Sequence, residues 1–189
     1  VIGNAQPKFY GGLNNSFTYK GFDLSIFLTF SYGNEVLNAT KLVTSKVGSL
    51  NYNALDVMNS SNRWMTINSD GQKVTDPGEL AALNAGKTVA AYHDAQQGDN
   101  YIHSWAVEDA SYLKLSNVTL GYTFPKKLIA RVGLKNLRLY ATGNNLLTWT
   151  KYSGFDPEVS TMKSGLTPGV DFGAYPLSRS FIFGLNVAF

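Results

Sequence analysis

The last nine residues of the chain alternate between large apolar side chains and small or polar ones, and this pattern most restricts what the chain can fold into. Ile182 is the one even-numbered position in this stretch that is neither small nor polar. Because neighbouring side chains of a β-strand point to opposite faces, the alternation predicts a strand with one apolar face. That face consists of Phe181, Phe183, Leu185, Val187 and Phe189.

Four more segments show the same alternation over roughly ten residues or more. Lys20-Gly21 is a two-residue connection between the first two of them, which predicts an antiparallel hairpin. The third segment changes phase near Ser116-Asn117, and a β-bulge there would restore a single apolar face. The predicted strands are Phe9 to Tyr19, Phe22 to Tyr32, Tyr112 to Phe124 and about Asn136 to Thr150.

The length of these strands favours a membrane setting. An apolar band ~25 Å tall, crossed at ~40° tilt, needs about ten residues per strand, whereas strands of soluble proteins average ~5–6 residues. The connections 34–111 and 151–179 are long and alternate with short ones, as extracellular loops alternate with periplasmic turns in outer-membrane barrels. The sequence therefore predicts an all-β fold, with antiparallel strands from a transmembrane β-barrel. Because such barrels contain at least eight strands, we expect these five to belong to a larger barrel.

Composition further restricts the class of protein to which the chain can belong. Charged residues make up 15% of the chain, against about 25% in ordinary domains, and cysteine is absent. No stretch reaches the 18 consecutive apolar residues of a transmembrane helix. The net charge of +3 is small, so nucleic acid is not an expected partner. The chain begins at Val1 without a signal peptide, and we expect it to be the C-terminal portion of a longer protein.

The first long connection carries signals of local structure. Apolar and small residues from Val36 to Val47 recur at helical spacing, and Gly48 is a plausible end for that helix. Asp76-Pro77-Gly78-Glu79 resembles a capping box that opens a second short helix, ending near Gly86. Asp70-Gly71 indicates a turn. We therefore expect long loops that contain short helices.

Residues able to perform catalysis or bind a metal are sparse. No phosphate-binding loop or nucleophile motif occurs, so the sequence predicts neither an enzyme nor a cofactor. His93 and His103 lack the spacing of metal ligands and are interpreted as loop polarity. Asp156, Glu158 and Asp171 lack the pattern of a calcium loop and are interpreted as solvated turn carboxylates.

Aromatic residues in the long loops are the best candidates for ligand contacts, because aromatic rings can stack on sugars or pack on peptides. Trp64, Tyr101 and Trp105 are the predicted substrate-binding residues. The alternative is that loop aromatics form the loop core or the interfacial girdle that barrels need. Trp149 and Tyr152 lie at the end of a predicted strand, so for these two the girdle is favoured.

The short connection between the third and fourth strands is basic. It carries Lys126, Lys127, Arg131 and Lys135. A solvated turn is the main interpretation, and contact with a partner is the alternative.

Several runs together resemble a known family. The runs from Asp109 to Tyr122, from Leu137 to Thr150, from Tyr152 to Glu158 and from Gly169 to Pro176, followed by the terminal strand, are similar to the late strands of SusC/RagA-type TonB-dependent outer-membrane transporters of Bacteroidetes. They follow one another in order from Asp109 to the end of the chain. The resemblance implies a barrel of about 22 strands, of which this chain supplies the last five, and a plug domain that these residues do not include.

The resemblance also implies a function and partners. It implies TonB-driven import of glycans or peptides across the cell outer membrane, together with a SusD-like surface lipoprotein. The barrel-assembly machinery would recognise the terminal strand through Phe181, Phe183, Leu185, Val187 and Phe189. Outer-membrane lipid would surround the wall. Two alternatives stay open: a passive porin-like barrel, and a soluble β-sandwich that binds carbohydrate.

Overall fold

The computed structural model describes residues 2–45, 53, 55–89, 102, 104–161, 165 and 167–189. In chain order, its elements are β1 (Phe9–Tyr19), β2 (Phe22–Tyr32), β3 (Glu35–Asn38), α1 (Ala39–Thr44), α2 (Pro77–Leu83), β4 (Val107–Asp109), β5 (Tyr112–Thr123), α3 (Lys126–Ile129), β6 (Asn136–Thr150), β7 (Val170–Asp171) and β8 (Ser180–Ala188). Short 3-10 turns lie at Asp56–Met58, Ser104–Ala106 and Ala130–Val132.

Five long strands form one antiparallel sheet, here called the wall, in the order β1-β2-β5-β6-β8. The predicted strands are confirmed, with bounds that differ by at most one residue. Lys20 and Gly21 both have positive φ, of 46° and 90°, as the tight turn of a two-residue hairpin requires. The predicted bulge is confirmed as well, since the register between β5 and its neighbours shifts at Ser116.

The register places most of the large apolar residues of the five strands on one face of the wall. Aromatic rings cluster at both ends of this face. Phe9 stacks on Tyr32 at a centroid distance of 5.0 Å at one end, and Phe22 meets Tyr122 at 4.5 Å at the other. The side chains between them stay largely exposed; Leu120, for example, retains 50% of its accessible surface. A sheet with an open apolar face between two aromatic belts matches the lipid-facing surface of a membrane barrel.

The long connections contain a second sheet that the sequence did not predict, here called the loop sheet. Its order is β4-β3-β7, with β3 antiparallel to β4 and parallel to β7. β3 and β4 continue the β2–β5 pair past an interruption, where the Ala110 N–H donates to the Asn34 carbonyl at 2.9 Å. The two long connections therefore meet in one small sheet directly beyond the wall.

The two predicted loop helices are present but short, and the first begins after Val36, which lies in β3 instead. α1 ends at Thr44, and Gly48, its predicted end, lies outside the described residues. In α2 the Asp76 carboxylate accepts hydrogen bonds from the N–H groups of Gly78 and Glu79, as its predicted capping role requires. None of the helices in the described ranges is long and apolar enough to cross a membrane.

The buried apolar residues lie almost entirely outside the wall. Among the described residues, the buried cluster consists of Val36, Ala110 and Tyr152, with Val159 packed against it. Of the other buried apolar side chains, Ile129 alone belongs to a short connection rather than to a long one. The apolar residues of the wall are therefore not packed in a core of this chain, whereas the long connections form a core of their own.

Candidate functional site

The second face of the wall is polar and its side chains hydrogen-bond across strands. Asn117 on β5 donates to Asn144 on β6 at 2.7 Å, and Asn144 donates in turn to Ser180 on β8 at 3.0 Å. The hydroxyls of Thr119 and Thr142 pair at 2.9 Å. Such a ladder suits the inward face of a barrel, which is polar.

Near the short-turn end, this polar face carries an ion pair. Arg138 on β6 donates to both carboxylate oxygens of Asp23 on β2, at 3.0 Å from Nε and 2.5 Å from Nη2. Gly121 of β5 lies between the two strands, and a Cβ there would collide with both charged groups. Glycine at this position lets the bidentate pair lie flat across three strands.

At the opposite end, a buried lysine ties the second long connection to the wall. Lys114 on β5 is 3% exposed, and its Nζ lies 2.5 Å from Glu158 and 3.5 Å from Asp156. The Tyr112 hydroxyl donates to the other oxygen of Glu158 at 2.5 Å. Burial alone would raise the pKa of Glu158, but the hydrogen bonds from Lys114 and Tyr112 outweigh it and hold that pKa below its ordinary value.

The interpretation as solvated turn carboxylates is therefore wrong for Asp156 and Asp171, whereas Glu158 is exposed but paired with Lys114 and Tyr112. Asp156 is 9% exposed and Asp171 is 4% exposed, and each has a specific polar partner. No local pattern reveals this, because the partner of Asp156 and Glu158 lies more than 40 residues earlier in the chain. One signal was present: Lys114 interrupts the apolar run Leu113–Leu115 in a strand expected to span a membrane.

A second charged network joins α1 to the loop sheet. Lys41 on α1 donates to Glu108 on β4 at 2.9 Å and to the Trp105 carbonyl at 3.0 Å. Ser153 donates to Glu108 from both its N–H and its hydroxyl, each at 2.9 Å. Burial by itself would raise the pKa of Glu108, but these hydrogen bonds from Lys41 and Ser153 lower it overall.

Tyr152 occupies the centre of this region. Its ring is 5% exposed and its hydroxyl donates to Asp171 at 2.7 Å. Burial, followed by the hydrogen bond to Asp171, raises the pKa of this hydroxyl well above its ordinary value. The expected girdle position of Tyr152 is therefore wrong, because the chain turns inward after Thr150. Trp149 is 52% exposed beside Leu113 on the apolar face, which agrees with a girdle position.

These loop contacts surround a cleft of about 520 Å³. Its lining combines apolar surface with a few polar groups, as in many ligand pockets. Lys41 lies 4.1 Å from the centroid of the Trp105 ring, and this cation–π contact forms part of the lining. Other lining residues are Asn38, Ser153, Phe155 and Asp171.

The structure separates the predicted substrate-binding residues. Trp105 lines the cleft, whereas Trp64 lies outside its lining, where its N–H donates to the Val89 carbonyl at 2.9 Å. Tyr101 lies outside the described residues, as do His93 and His103. A substrate-binding role for Trp64, Tyr101 and Trp105 stays a prediction.

The predicted assembly signal lies on β8 and just beyond it. Phe181, Phe183, Leu185 and Val187 share the apolar face, and Phe189 follows the strand. Phe183 and Phe189 are each 80% exposed. Recognition of this strand by an assembly machinery stays a prediction.

Metal ligands do not cluster in the part of the chain that the structure describes. No group of three or more His, Cys, Asp or Glu side chains there could hold a metal ion.

A five-stranded antiparallel wall with an apolar outer face, a bonded polar inner face and long loops at one end defines part of an outer-membrane β-barrel. No family model matches the sequence. TonB-dependent receptor P3 of Formosa agariphila is 35% identical over the whole chain, which spans 17% of that receptor. TonB-dependent receptor SusC of Bacteroides thetaiotaomicron is 30% identical over 94% of the chain, or 15% of SusC.

Solved structures agree with these relatives. The RagAB peptide importer in its closed-closed state matches the whole chain with a TM-score of 0.72 and 26% identity, over 18% of the matched chain. A second RagAB peptide transporter structure reaches a TM-score of 0.74 at 24% identity, which supports the fold alone. The predicted resemblance is confirmed: the chain is a barrel portion of a SusC/RagA-type TonB-dependent receptor, a class of outer-membrane proteins. It spans less than a fifth of the length of these relatives.

Proposed function

We propose that the full-length protein imports nutrients across the outer membrane with energy supplied through TonB. The observation that carries this proposal is the two-faced wall, whose apolar face suits lipid and whose polar face suits a lumen, in a chain similar along its whole length to TonB-dependent receptors. The relatives are named as receptors and transporters rather than as enzymes. In this proposal the long connections are extracellular and the short ones periplasmic.

Glycans or oligopeptides are the proposed cargo. Support comes from the loop cleft, where the Trp105 ring and Phe155 offer apolar surface beside Lys41 and Asp171. Rings of this kind can stack on sugars or pack on peptide side chains, and the neighbouring polar groups can orient either one. A SusD-like lipoprotein is the proposed partner at the extracellular face, on the basis of the likeness to SusC and to a RagAB complex.

Growth experiments on the intact organism test this proposal. Three strains are grown on single oligosaccharides and on single oligopeptides. One lacks the full-length receptor, one lacks TonB, and one carries both. We expect at least one substrate to support growth only when receptor and TonB are both present. Growth that depends on the receptor and survives loss of TonB would indicate a passive porin. Recovery of the protein from the soluble periplasm would overturn the barrel assignment as well.

The predicted binding residues are tested in the same strain. Alanine is introduced singly at Trp64, Tyr101 and Trp105, with Trp149→Ala as the matched control, because Trp149 lies on the lipid-facing side. We expect Trp105→Ala to weaken uptake most, since Trp105 lines the cleft. Unchanged uptake in all three variants would remove them from the proposed site. Affinity purification of the tagged receptor in detergent tests for the lipoprotein.

A further inference from the structure

The short connection between β5 and β6 concentrates positive charge at one end of the wall. Residues 125–135 contain no carboxylate, and their four cationic side chains are exposed. Within the described residues, none of the four forms a salt bridge. The four, here called the basic turn, are Lys126, Lys127, Arg131 and Lys135.

The fold separates charges that look scattered in the sequence. Lys20 lies in the β1–β2 turn at the same end as the basic turn, and Asp23, the nearby carboxylate, is already paired with Arg138. Every other Asp and Glu side chain belongs to residues 35–109 or 156–171, in the long connections. The net charge of the whole chain is only +3, but the short-turn end of the wall is strongly basic because the acidic side chains lie mostly at the other end.

The basic turn is ordered and also exposes apolar side chains. Ile129 is buried and anchors it, while Leu128 is 59% exposed and Val132 is 71% exposed. The Lys135 N–H donates to the Ala188 carbonyl at 2.8 Å and so joins the turn to β8. These two apolar residues are exposed and lie beside cationic residues. Segments that lie in a membrane interface have this combination of apolar and cationic side chains.

The turn is also continuous with the lipid-facing side of the wall. Tyr122 and Phe124, whose rings meet at a centroid distance of 5.0 Å, end the apolar face immediately before Pro125. We propose that the basic turn binds the phosphate headgroups of anionic phospholipid, with Leu128 and Val132 inserted at the headgroup boundary. Lysine and arginine near an anionic membrane surface each strengthen binding, and their methylene stems can follow the apolar boundary.

This inference rests on the outer-membrane barrel and on the proposed orientation, which makes the facing leaflet periplasmic. Transport plays no part in it. A failed uptake experiment would leave lipid binding testable, and failed lipid binding would leave uptake intact.

Native mass spectrometry of the full-length receptor in detergent tests the proposal, with phosphatidylglycerol as the anionic probe and phosphatidylcholine as the neutral one. The test variant combines Lys126→Gln, Lys127→Gln, Arg131→Gln and Lys135→Gln. The matched control removes four cations from the long-loop side through Lys8→Gln, Lys73→Gln, Lys87→Gln and Lys151→Gln. Heat-modifiable migration on gels establishes that each variant is folded.

We expect the affinity for phosphatidylglycerol to fall about tenfold or more in the test variant and to change little in the control. Binding of phosphatidylcholine should be equal in all three proteins. Leu128→Ser combined with Val132→Ser should weaken the binding of both lipids. Equal phosphatidylglycerol binding by test variant and wild type would overturn the proposal, and so would an equal loss in the control. Retained lipid binding with loss of a co-purifying acidic periplasmic protein would assign the turn to a protein partner instead.

Discussion

In the wall, β6 pairs with β5 and β8 along most of its 15 residues, and its apolar side chains face outward without partners in this chain. In the loop sheet, the longest strand has four residues. The half-buried Lys41–Glu108 pair and the buried hydrogen bond from Tyr152 to Asp171 hold the elements together. Both regions are β-structure. They differ in what contacts their side chains: the apolar side chains of the wall stay largely exposed, whereas side chains of the loop sheet have partners within the chain.

This difference shows how each environment leaves a trace in the sequence. A membrane wall has two distinct sides, lipid and lumen, so each residue takes one of two roles in strict alternation. A loop cluster satisfies its polar groups one at a time with partners far away in the chain. The first arrangement produces a periodic pattern, whereas the second produces isolated residues whose partners no local pattern identifies.

The largest effect is expected from a charge placed on the apolar face of the wall. Phe183→Arg in the full-length receptor places a charge on the lipid-facing side near the middle of β8, which should cost about 2–4 kcal/mol and reduce the amount of assembled barrel. The matched control is the neighbouring Ile182→Arg, on the polar face opposite Thr142, which we expect to assemble. Heat-modifiable migration of the outer-membrane fraction measures assembly. Equal assembly of both variants would contradict the assignment of the faces.

The next effect separates the second long connection from the wall. Lys114→Met leaves Glu158 and Asp156 without their cation, and we expect a local loss of about 2–3 kcal/mol, since the lysine is buried and Glu158 only partly so. Hydrogen exchange of residues 153–161 should rise while exchange in the middle of the wall stays unchanged. Lys151→Met is the control, because Lys151 is exposed. A uniform rise across both regions would show that they do not behave as separate units.

Acidification should loosen the loop sheet before the wall. The pKa of Glu108 is lower in the folded chain than its ordinary value of 4.5, so its stabilising contribution is present above about pH 4.5 and is lost as the pH falls below it. Hydrogen exchange of residues 35–44, corrected for its intrinsic pH dependence, should therefore increase between pH 6 and pH 3.5. Glu108→Gln should remove most of that increase. An unchanged pH response in Glu108→Gln would assign it to another carboxylate.

The smallest effect tests the polar face alone. Thr119 and Thr142 share one cross-strand hydrogen bond, whose contribution we expect to be about 0.2–1 kcal/mol. A double-mutant cycle with Thr119→Val and Thr142→Val, measured by chemical denaturation of the full-length receptor, isolates this coupling. A coupling energy of zero would mean that the paired hydroxyls add nothing beyond the backbone ladder.

Prediction from the sequence therefore succeeded for the wall and failed for the loop sheet. The strand bounds, the Lys20-Gly21 turn and the bulge at Ser116 followed from periodicity and local motifs, and the family followed from the likeness of several residue runs. The loop sheet was missed, because strands of two to four residues are too short to show a period. The carboxylates of the second long connection were misjudged for a related reason: burial depends on tertiary neighbours.

The sequence by itself determined that this chain forms long two-faced strands, since alternation along a strand requires no knowledge of distant contacts. The tertiary structure alone decided that Lys114 holds Glu158, that Tyr152 turns inward and that Trp105 and Lys41 share a cleft. In each of these cases the partners are distant in the chain, and the fold brings them within a few ångströms of one another.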